Sequence, residues 1–279
     1  MKSTQTKERV YRGLSYVWMI VCVLIALFPI VWVIMSSFKT NAEILSDGFS
    51  LPSSFSFIGY VQALEISPIL KYFGNSLIIA IVATIINVFV IAMAAYVFAR
   101  RQFRFKSAIY LLLSLSMVIP ISALLQPVYR VIASLHLTDT KTGLILVYTA
   151  LNMPMSLLIM RTSFSGIPKS LEEAAYVDGA GFFRTFFQIM MPCAKGGLAS
   201  SAVLCFLGCW NEFSFALLLT SSQDARTLPL SLSYFSSQFS FNYTAMFAAI
   251  TIAVIPSILV FALFQEQIVS SMTAGSVKE

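Results

Sequence analysis

The sequence is poor in charge and in the side chains from which catalytic sites are built. Only 11% of its 279 residues are charged, and it has a single histidine, His136. A soluble domain would carry roughly twice that share of charge. At 58% hydrophobic, the chain needs the apolar solvent of a membrane. We find no nucleophile–histidine arrangement and no cluster of His, Asp and Glu, which argues against a membrane-embedded enzyme.

Metal-site and phosphate-loop motifs are also missing. The four cysteines lie in or beside apolar runs, and no pair has zinc-site spacing with a histidine nearby. We therefore expect no catalytic residue, no metal and no cofactor on this chain. There is no G-x-x-x-x-G-K-[ST] loop, so any ATP hydrolysis requires another chain. The net charge of +6 comes from basic residues at the ends of apolar runs, a pattern that favours membrane orientation over nucleic-acid binding.

Six apolar runs are long enough to span a membrane, and we predict an all-α protein with six transmembrane helices. Their approximate limits are Leu14–Met35, Ser76–Phe98, Ile109–Ile132, Gly143–Met160, Gly197–Thr220 and Met246–Phe264. Pro120 and Pro127 predict a kink or break in the third. The first run follows basic residues as a secretory signal does. It is too long for one and has no cleavage site, so we interpret it as a retained helix.

The distribution of lysine and arginine predicts the orientation. With a cytoplasmic N-terminus, only five of the 18 basic residues fall outside, namely Lys39, Lys71, Arg130, Lys141 and Arg226. This positive-inside bias places both termini in the cytoplasm of a multi-pass membrane protein. The predicted organisation is a cytoplasmic N-terminus (1–13), a six-helix domain (14–266) with a large inside loop at 161–196, and a cytoplasmic tail (267–279).

The inside loop contains the signals of a short helix. Ser170 is placed to cap its N-terminus, with Glu173 completing a capping box, and Gly179 is placed to end it at positive φ. Ala174 and Ala175 make one side narrow. Two interpretations fit these residues equally well: a helix lying in a groove of another protein, or an amphipathic segment resting on the membrane.

The same loop resembles the cytoplasmic signature of the permeases of ABC importers. That signature reads Glu-Ala-Ala, three residues, Gly, nine residues, Ile, one residue, Leu-Pro. This chain has the same spacing in Glu173, Ala174, Ala175, Gly179, Ile189, Met191 and Pro192. Met191 replaces the leucine, which is a volume-conserving change.

The resemblance extends along nearly the whole chain, toward the carbohydrate branch of these permeases. Further segments that resemble it include Ser37–Thr40, Asn75–Leu77, Ala94–Tyr96, Trp210–Phe213 and Thr273–Gly275. Within that branch, the chain resembles the permeases of oligosaccharide importers and is similar to the six-helix subunit of the maltose transporter. The resemblance implies a type I importer permease fold in the bacterial cytoplasmic membrane, with a coupling helix between the fourth and fifth spans.

The resemblance also implies partners. These are a second, homologous permease, two ATPase subunits that use ATP and Mg, and an extracytoplasmic sugar-binding protein. The residues it assigns to ATPase coupling are Ser170, Glu172, Glu173, Ala174, Ala175, Asp178 and Gly179. The implied function is one half of a sugar or oligosaccharide pathway. A permease of the same superfamily for another solute is the alternative, and a membrane enzyme is a distant third.

Sugars are recognised by planar polar groups and aromatic faces, which several residues offer at membrane depth. The candidates for the substrate pathway are Gln126, Tyr129, Tyr148, Asn152, Trp210, Asn211 and Glu212. We place Glu212 deep in the fifth span, where a carboxylate is a functional candidate, with a hydrogen bond to a neighbouring helix as the other interpretation. Small residues recur every four positions at Gly197, Ser201, Cys205 and Cys209, which predicts close helix packing.

Overall fold

The structure is a computed structural model that describes residues 2–235 and 242–274, with side-chain surroundings for residues 11–235 and 242–266. All regular structure in these ranges is helical. The helices are α1 (Lys2–Ser36), α2 (Asn41–Ser46), α3 (Ile58–Ile66), α4 (Ile69–Arg100), α5 (Lys106–Leu115), α6 (Ile121–Ser134), α7 (Lys141–Ser165), α8 (Lys169–Val177), α9 (Phe182–Thr185), α10 (Met191–Cys193), α11 (Lys195–Trp210), α12 (Ser214–Leu219), α13 (Leu228–Ser231) and α14 (Tyr243–Ala274). A π-helical segment, Phe186–Met190, joins α9 to α10, and short 3-10 turns follow α5 and α13.

Four helices in the described ranges are long and apolar enough to cross a membrane. They are Tyr11–Ser36 within α1, α4, α7, and Tyr243–Glu266 within α14. Each contains one of the predicted apolar runs, so the first, second, fourth and sixth runs are confirmed as single helices. Two bent helix pairs raise the number of possible spans to six.

The third predicted run is broken where the prolines indicated. The α5 helix and its 3-10 turn end at Val118, α6 begins at Ile121, and the two parts are bent by 110°. Pro120 lies at the break, where it has no N–H to continue the hydrogen-bond ladder. Pro127 lies inside α6.

The fifth predicted run differs from the structure. The helix ends at Trp210 rather than continuing to Thr220, and a separate α12 begins at Ser214. At its other end, α11 pairs with the segment Phe182–Cys193 at a bend of 78°. The end of α11 at Trp210 therefore lies within an apolar sequence, with no glycine or proline at that position to indicate it.

The chain divides into two compact units, the first within residues 1–67 and 232–252. In it, the side chain of Asn41 accepts a hydrogen bond of 3.0 Å from the backbone N–H of Thr244. A capping box between Thr40 and Glu43 starts α2. Hydrogen bonds from Ser53 and Thr40 lower the pKa of Glu43 to about 2. The loop between the first two long helices is thus ordered by its own polar contacts.

The second unit lies within residues 68–231 and 253–279, and α4, α7 and α11 form its centre. One apolar cluster joins these three helices around Ile79, Leu144 and Cys205. Another surrounds Tyr96 and Phe164 at the opposite ends of α4 and α7. Residues 275–279 of the predicted C-terminal tail lie outside the described residues.

The small-residue stripe on α11 packs as the sequence predicts. Gly197, Ser201, Cys205 and Cys209 are all buried. A Cβ atom added at Gly197 would lie 2.4 Å from the Cβ of Ser163 on α7. The absence of a side chain there lets the two helices approach closely.

The loop between α12 and α13 is bonded to the start of α4. The side-chain amide of Asn75 donates to the carbonyls of Gln223 (3.1 Å) and Arg226 (2.9 Å). The hydroxyl of Ser76 accepts from the backbone N–H of Leu228 at 2.7 Å. In each bond the α4 side chain meets a backbone group of residues 223–228, so the bonds fix the course of the backbone there.

A carboxylate from the loop before α7 holds the other side of the same segment. Asp139 accepts hydrogen bonds from the backbone N–H groups of Ser221 (2.8 Å) and Ser222 (2.9 Å). Burial raises the pKa of Asp139, but these hydrogen bonds to the charged form outweigh it, and the pKa lies below its usual value.

Candidate functional site

The two ends of α8 are formed in different ways, by a proline before its first residue and by a glycine after its last. Pro168 occupies the N-cap position, and no side chain caps the helix. The predicted capping box of Ser170 and Glu173 is therefore wrong. The helix starts at Lys169, which places Ser170 inside the first turn, where a hydroxyl cannot cap.

The C-terminus of α8 follows the prediction. Gly179 has a φ of +77°, a conformation that suits glycine. Its N–H donates to the carbonyl of Tyr176 at 3.1 Å, and the N–H of Ala180 donates to the carbonyl of Ala175 at 2.9 Å. This pair of bonds is a Schellman motif, which ends the helix sharply.

The α8 helix has one buried edge and one exposed face. Glu172 and Ala175, three residues apart, are buried, as their spacing on one side of a helix allows. The other predicted coupling residues are exposed: Ser170, Glu173, Ala174, Asp178 and Gly179. We call these five residues the α8 face. They are the part of the predicted set that is available to another protein.

Glu172 points toward the end of α4. The hydroxyl of Tyr96 donates to its Oε1 at 2.8 Å, and the hydroxyl of Tyr176 lies at 3.4 Å. Arg100 Nε lies 3.5 Å from Oε2, within ion-pair range but not hydrogen-bonded. Arg101 Nη2 is 3.6 Å from Oε1. We call these five residues the Glu172 cluster.

Further contacts attach the loop to the same two arginines. The guanidinium of Arg100 donates to the carbonyl of Ile167 at 2.5 Å, just before α8. The guanidinium of Arg101 contacts the hydroxyl of Tyr176 and lies 5.7 Å from the centre of its ring. The α8 helix is therefore bound to the end of α4 at its start, middle and last turn.

A cluster of aromatic rings packs around Tyr96, next to the contacts between α8 and α4. The Tyr96 ring is within 5.7 Å of the ring centres of Phe164, Phe182 and Phe186. Phe182 and Phe186 come from the segment that follows α8, so part of that segment packs on Tyr96 of α4 and Phe164 of α7. Sequence reasoning missed Tyr96, Arg100 and Arg101 as partners of Glu172, because basic residues at a span end already have an explanation in orientation.

The structure brings only some of the candidates for a substrate pathway together, since the phenol of Tyr148 interacts with the carboxylate of Glu212. Tyr148 and Trp210 are buried, and the indole N–H of Trp210 donates to the carbonyl of Ala253 at 3.0 Å. Gln126, Tyr129 and Asn211 are exposed. Asn152 is half-buried and donates to the backbone carbonyl of Tyr148 at 2.8 Å. The amide of Asn152 also lies 3.6 Å from Cys209 Sγ on α11, so Trp210 and Asn152 both make contacts typical of helix packing.

Glu212 is placed differently from the expectation. It lies in the break between α11 and α12 rather than within a continuous fifth helix. Its carboxylate accepts from the backbone N–H groups of Phe215 (2.8 Å) and Ala216 (3.1 Å). A carboxylate here satisfies the otherwise unpaired amides at the start of α12. The carboxylate also interacts with the side chain of Tyr148 on α7, so Glu212 contacts both the start of α12 and a long helix.

The family model and the relatives that match this chain all belong to transport systems. Residues 88–274 match the model of the family described as "Binding-protein-dependent transport system inner membrane component". The diacetylchitobiose uptake system permease protein NgcG of Streptomyces coelicolor is 36% identical, over 99% of this chain and 92% of that one. The arabinooligosaccharides transport system permease protein AraQ of Bacillus subtilis is 31% identical, over 96% of each.

A solved structure shares the fold. It is a chain of a bacterial ABC transporter involved in the import of the acidic polysaccharide alginate, with a TM-score of 0.80. The match covers 93% of this chain and 97% of that one at 22% identity. The resemblance inferred from the loop motif is therefore confirmed over almost the whole length.

Proposed function

The chain belongs to the family of binding-protein-dependent transport system inner membrane components, and from this we propose that it forms half of the pathway of an ATP-driven oligosaccharide importer. It is a transport subunit, and its ATPase is a separate chain. The observation that carries the proposal is the exposed α8 face, which bears Glu173, Ala174 and Gly179 of the signature motif. The sugar assignment is supported by the relatives, whose names specify diacetylchitobiose and arabinooligosaccharides.

The proposed topology has six spans, with each bent helix pair counted as one. The positive-inside bias supports cytoplasmic placement of both termini and of the 161–196 loop. The N-terminus (1–13), six-helix domain (14–266) and C-terminal tail (267–279) keep the limits given by the sequence. The membrane is the bacterial cytoplasmic membrane.

The proposed assembly contains a second permease, two ATPase subunits and an extracytoplasmic sugar-binding protein. ATP and Mg are held by the ATPase subunits. The α8 face docks in a groove of one of them, where Ala174 leaves space for the groove wall and Glu173 offers a charge. Glu172 and Ala175 face inward and hold α8 on its own chain. Docking and anchoring thus use opposite sides of one short helix.

The proposed sugar pathway uses few side chains of this chain. Gln126 and Asn211 are exposed and offer planar amides, so we retain them as contacts. Tyr148, Asn152 and Trp210 support the walls, and Glu212 shapes the end of α11. This division follows from burial and from the partners of each side chain.

The test is sugar-stimulated ATP hydrolysis and uptake by the full complex reconstituted in vesicles, with a panel of oligosaccharides. Ala174→Leu fills the narrow side of the α8 face and should lower uptake at least tenfold. Glu266→Ala removes an exposed carboxylate from α14 and serves as the matched control, with uptake unchanged. Full uptake by the Ala174→Leu complex contradicts docking. Hydrolysis that no oligosaccharide stimulates favours another solute.

A further inference from the structure

A basic cavity lies between α5 and α7. It has a volume of about 480 Å³ and is lined by Lys106, Ser107, Tyr110, Leu111, Ser114 and Arg161. This volume is within the range of small-ligand sites. Its two cations come from different helices, so the cavity is a feature of the packed structure rather than of one basic segment.

Within the part of the chain that the structure describes, neither cation of the cavity has a carboxylate partner. Among the described residues, neither Lys106 nor Arg161 forms an ion pair. The carboxylate of Glu172 pairs with Arg100 and Arg101 rather than with either of these cations. A pair of uncompensated cations facing one cavity favours an anion there.

The side chain of Arg161 is positioned by an aromatic ring, but the hydrogen-bonding capacity of its Nε is not used by the described residues. Its guanidinium lies 4.1 Å from the centre of the Tyr110 ring, a cation–π contact. Its Nε is buried and has no hydrogen-bond partner among the described residues. Lys106 donates one hydrogen bond of 2.9 Å, to the carbonyl of Arg101. An ammonium has three donors, so donors remain on both side chains for a ligand.

The start of α5 adds to the same anion-binding character. Lys106 and Ser107 are its first two residues, and no side chain caps this helix. The first amides of an uncapped helix favour a negatively charged group. Together with the two side chains, they make a setting suited to a phosphate.

From these observations we propose that the cavity binds the phosphate of an anionic phospholipid. The inference rests on the proposed orientation, which puts Lys106 and Arg161 at the cytoplasmic membrane surface. Leu111, Leu112 and Leu115 are exposed along α5 beyond the cations, with 58%, 70% and 54% of their surface accessible. These side chains offer acyl chains an apolar path, which favours a lipid over free phosphate.

The test is lipid retention by the purified importer complex, measured by native mass spectrometry. The probes are phosphatidylglycerol and phosphatidylcholine with the same acyl chains, and inorganic phosphate alone. We expect preferential retention of phosphatidylglycerol. Lys106→Gln and Arg161→Gln should each reduce that retention about fivefold. Lys106→Gln changes only a residue of the first turn of α5, so it tests the site if Arg161→Gln fails to fold.

The matched control is Arg104→Gln, which removes the same charge from the same segment. Arg104 stacks on Phe105 and does not line the cavity, so its loss should leave retention unchanged. An equal loss in all three variants, equal retention of both lipids, or binding of inorganic phosphate without the lipid would each overturn the proposal. Lipid retention is measured without any transport reaction, so a negative result here is distinct from a failure of the proposed transport function.

Discussion

Replacing Glu172 by glutamine should release α8 from the end of α4. The substitution removes the charge that faces Arg100 and Arg101 but keeps an oxygen that accepts from Tyr96. The side chain of Glu172 is 10% exposed and that of Arg100 is 4% exposed. Glu65→Gln is the matched control, because it makes the same change at an exposed carboxylate of α3, outside both the anchoring contacts and the α8 face.

The size of the effect follows from burial and distance. Removing one partner of a fully buried ion pair costs about 3–5 kcal/mol. Here the separations are 3.5 and 3.6 Å, and the side chain of Arg101 is 47% exposed. Solvent therefore screens one of the two pairs. We expect a loss of about 2 kcal/mol in the free energy that holds α8 in place.

Amide hydrogen exchange of α8 in the intact complex measures this free energy. A loss of about 2 kcal/mol corresponds to roughly 30-fold faster exchange of the protected amides of α8. Tyr96→Phe, which removes one hydrogen bond to the carboxylate, should accelerate it about fivefold. Uptake per ATP hydrolysed should fall in parallel. Exchange in Glu172→Gln within threefold of that in Glu65→Gln would refute the anchoring role.

Three further outcomes follow. Gly179→Ala should shift α8 toward its unbound state and lower the stability of the complex by about 1 kcal/mol, because an alanine is strained at the positive φ of this position. Gly181→Ala should have no such effect, and thermal denaturation of the complex compares the two variants. Gly197→Ala should lower the melting temperature by several degrees, because its Cβ would clash with Ser163. Asp139 has a lowered pKa when folded. Its stabilisation is present above its unfolded pKa and disappears as the pH falls through the folded value. The difference between wild type and Asp139→Asn should therefore be full at pH 6 and vanish in strong acid.

The sequence predicted the long helices well because apolar length and the positions of basic residues both reflect the membrane. It also predicted the break at Pro120, since proline cannot continue a helix. The end of α11 at Trp210 was missed, because the following residues remain apolar and the helix stop depends on a carboxylate, Glu212, that caps the next helix.

Within the motif loop, the sequence predicted a short helix with a glycine end but not which side faces inward. Glu172 and Glu173 are adjacent and chemically alike, so only the packing of α8 against α4 separates an anchoring residue from an exposed one. The same packing explains why Tyr96 and Arg100 had no visible role in the sequence. Their partner lies more than 70 positions away along the chain.

The α4 helix is bound to other segments near both of its ends, so a motion at one end is transmitted to the other. It is 32 residues long without an internal proline. Asn75 and Ser76 bind the loop before α13 near one end, and Tyr96 and Arg100 bind α8 at the other. At 1.5 Å per residue, about 30 Å of continuous helix separates the two attachments. A tilt of about 5° produced by a pull on α8 would move the far attachment by ~3 Å, about the length of one hydrogen bond.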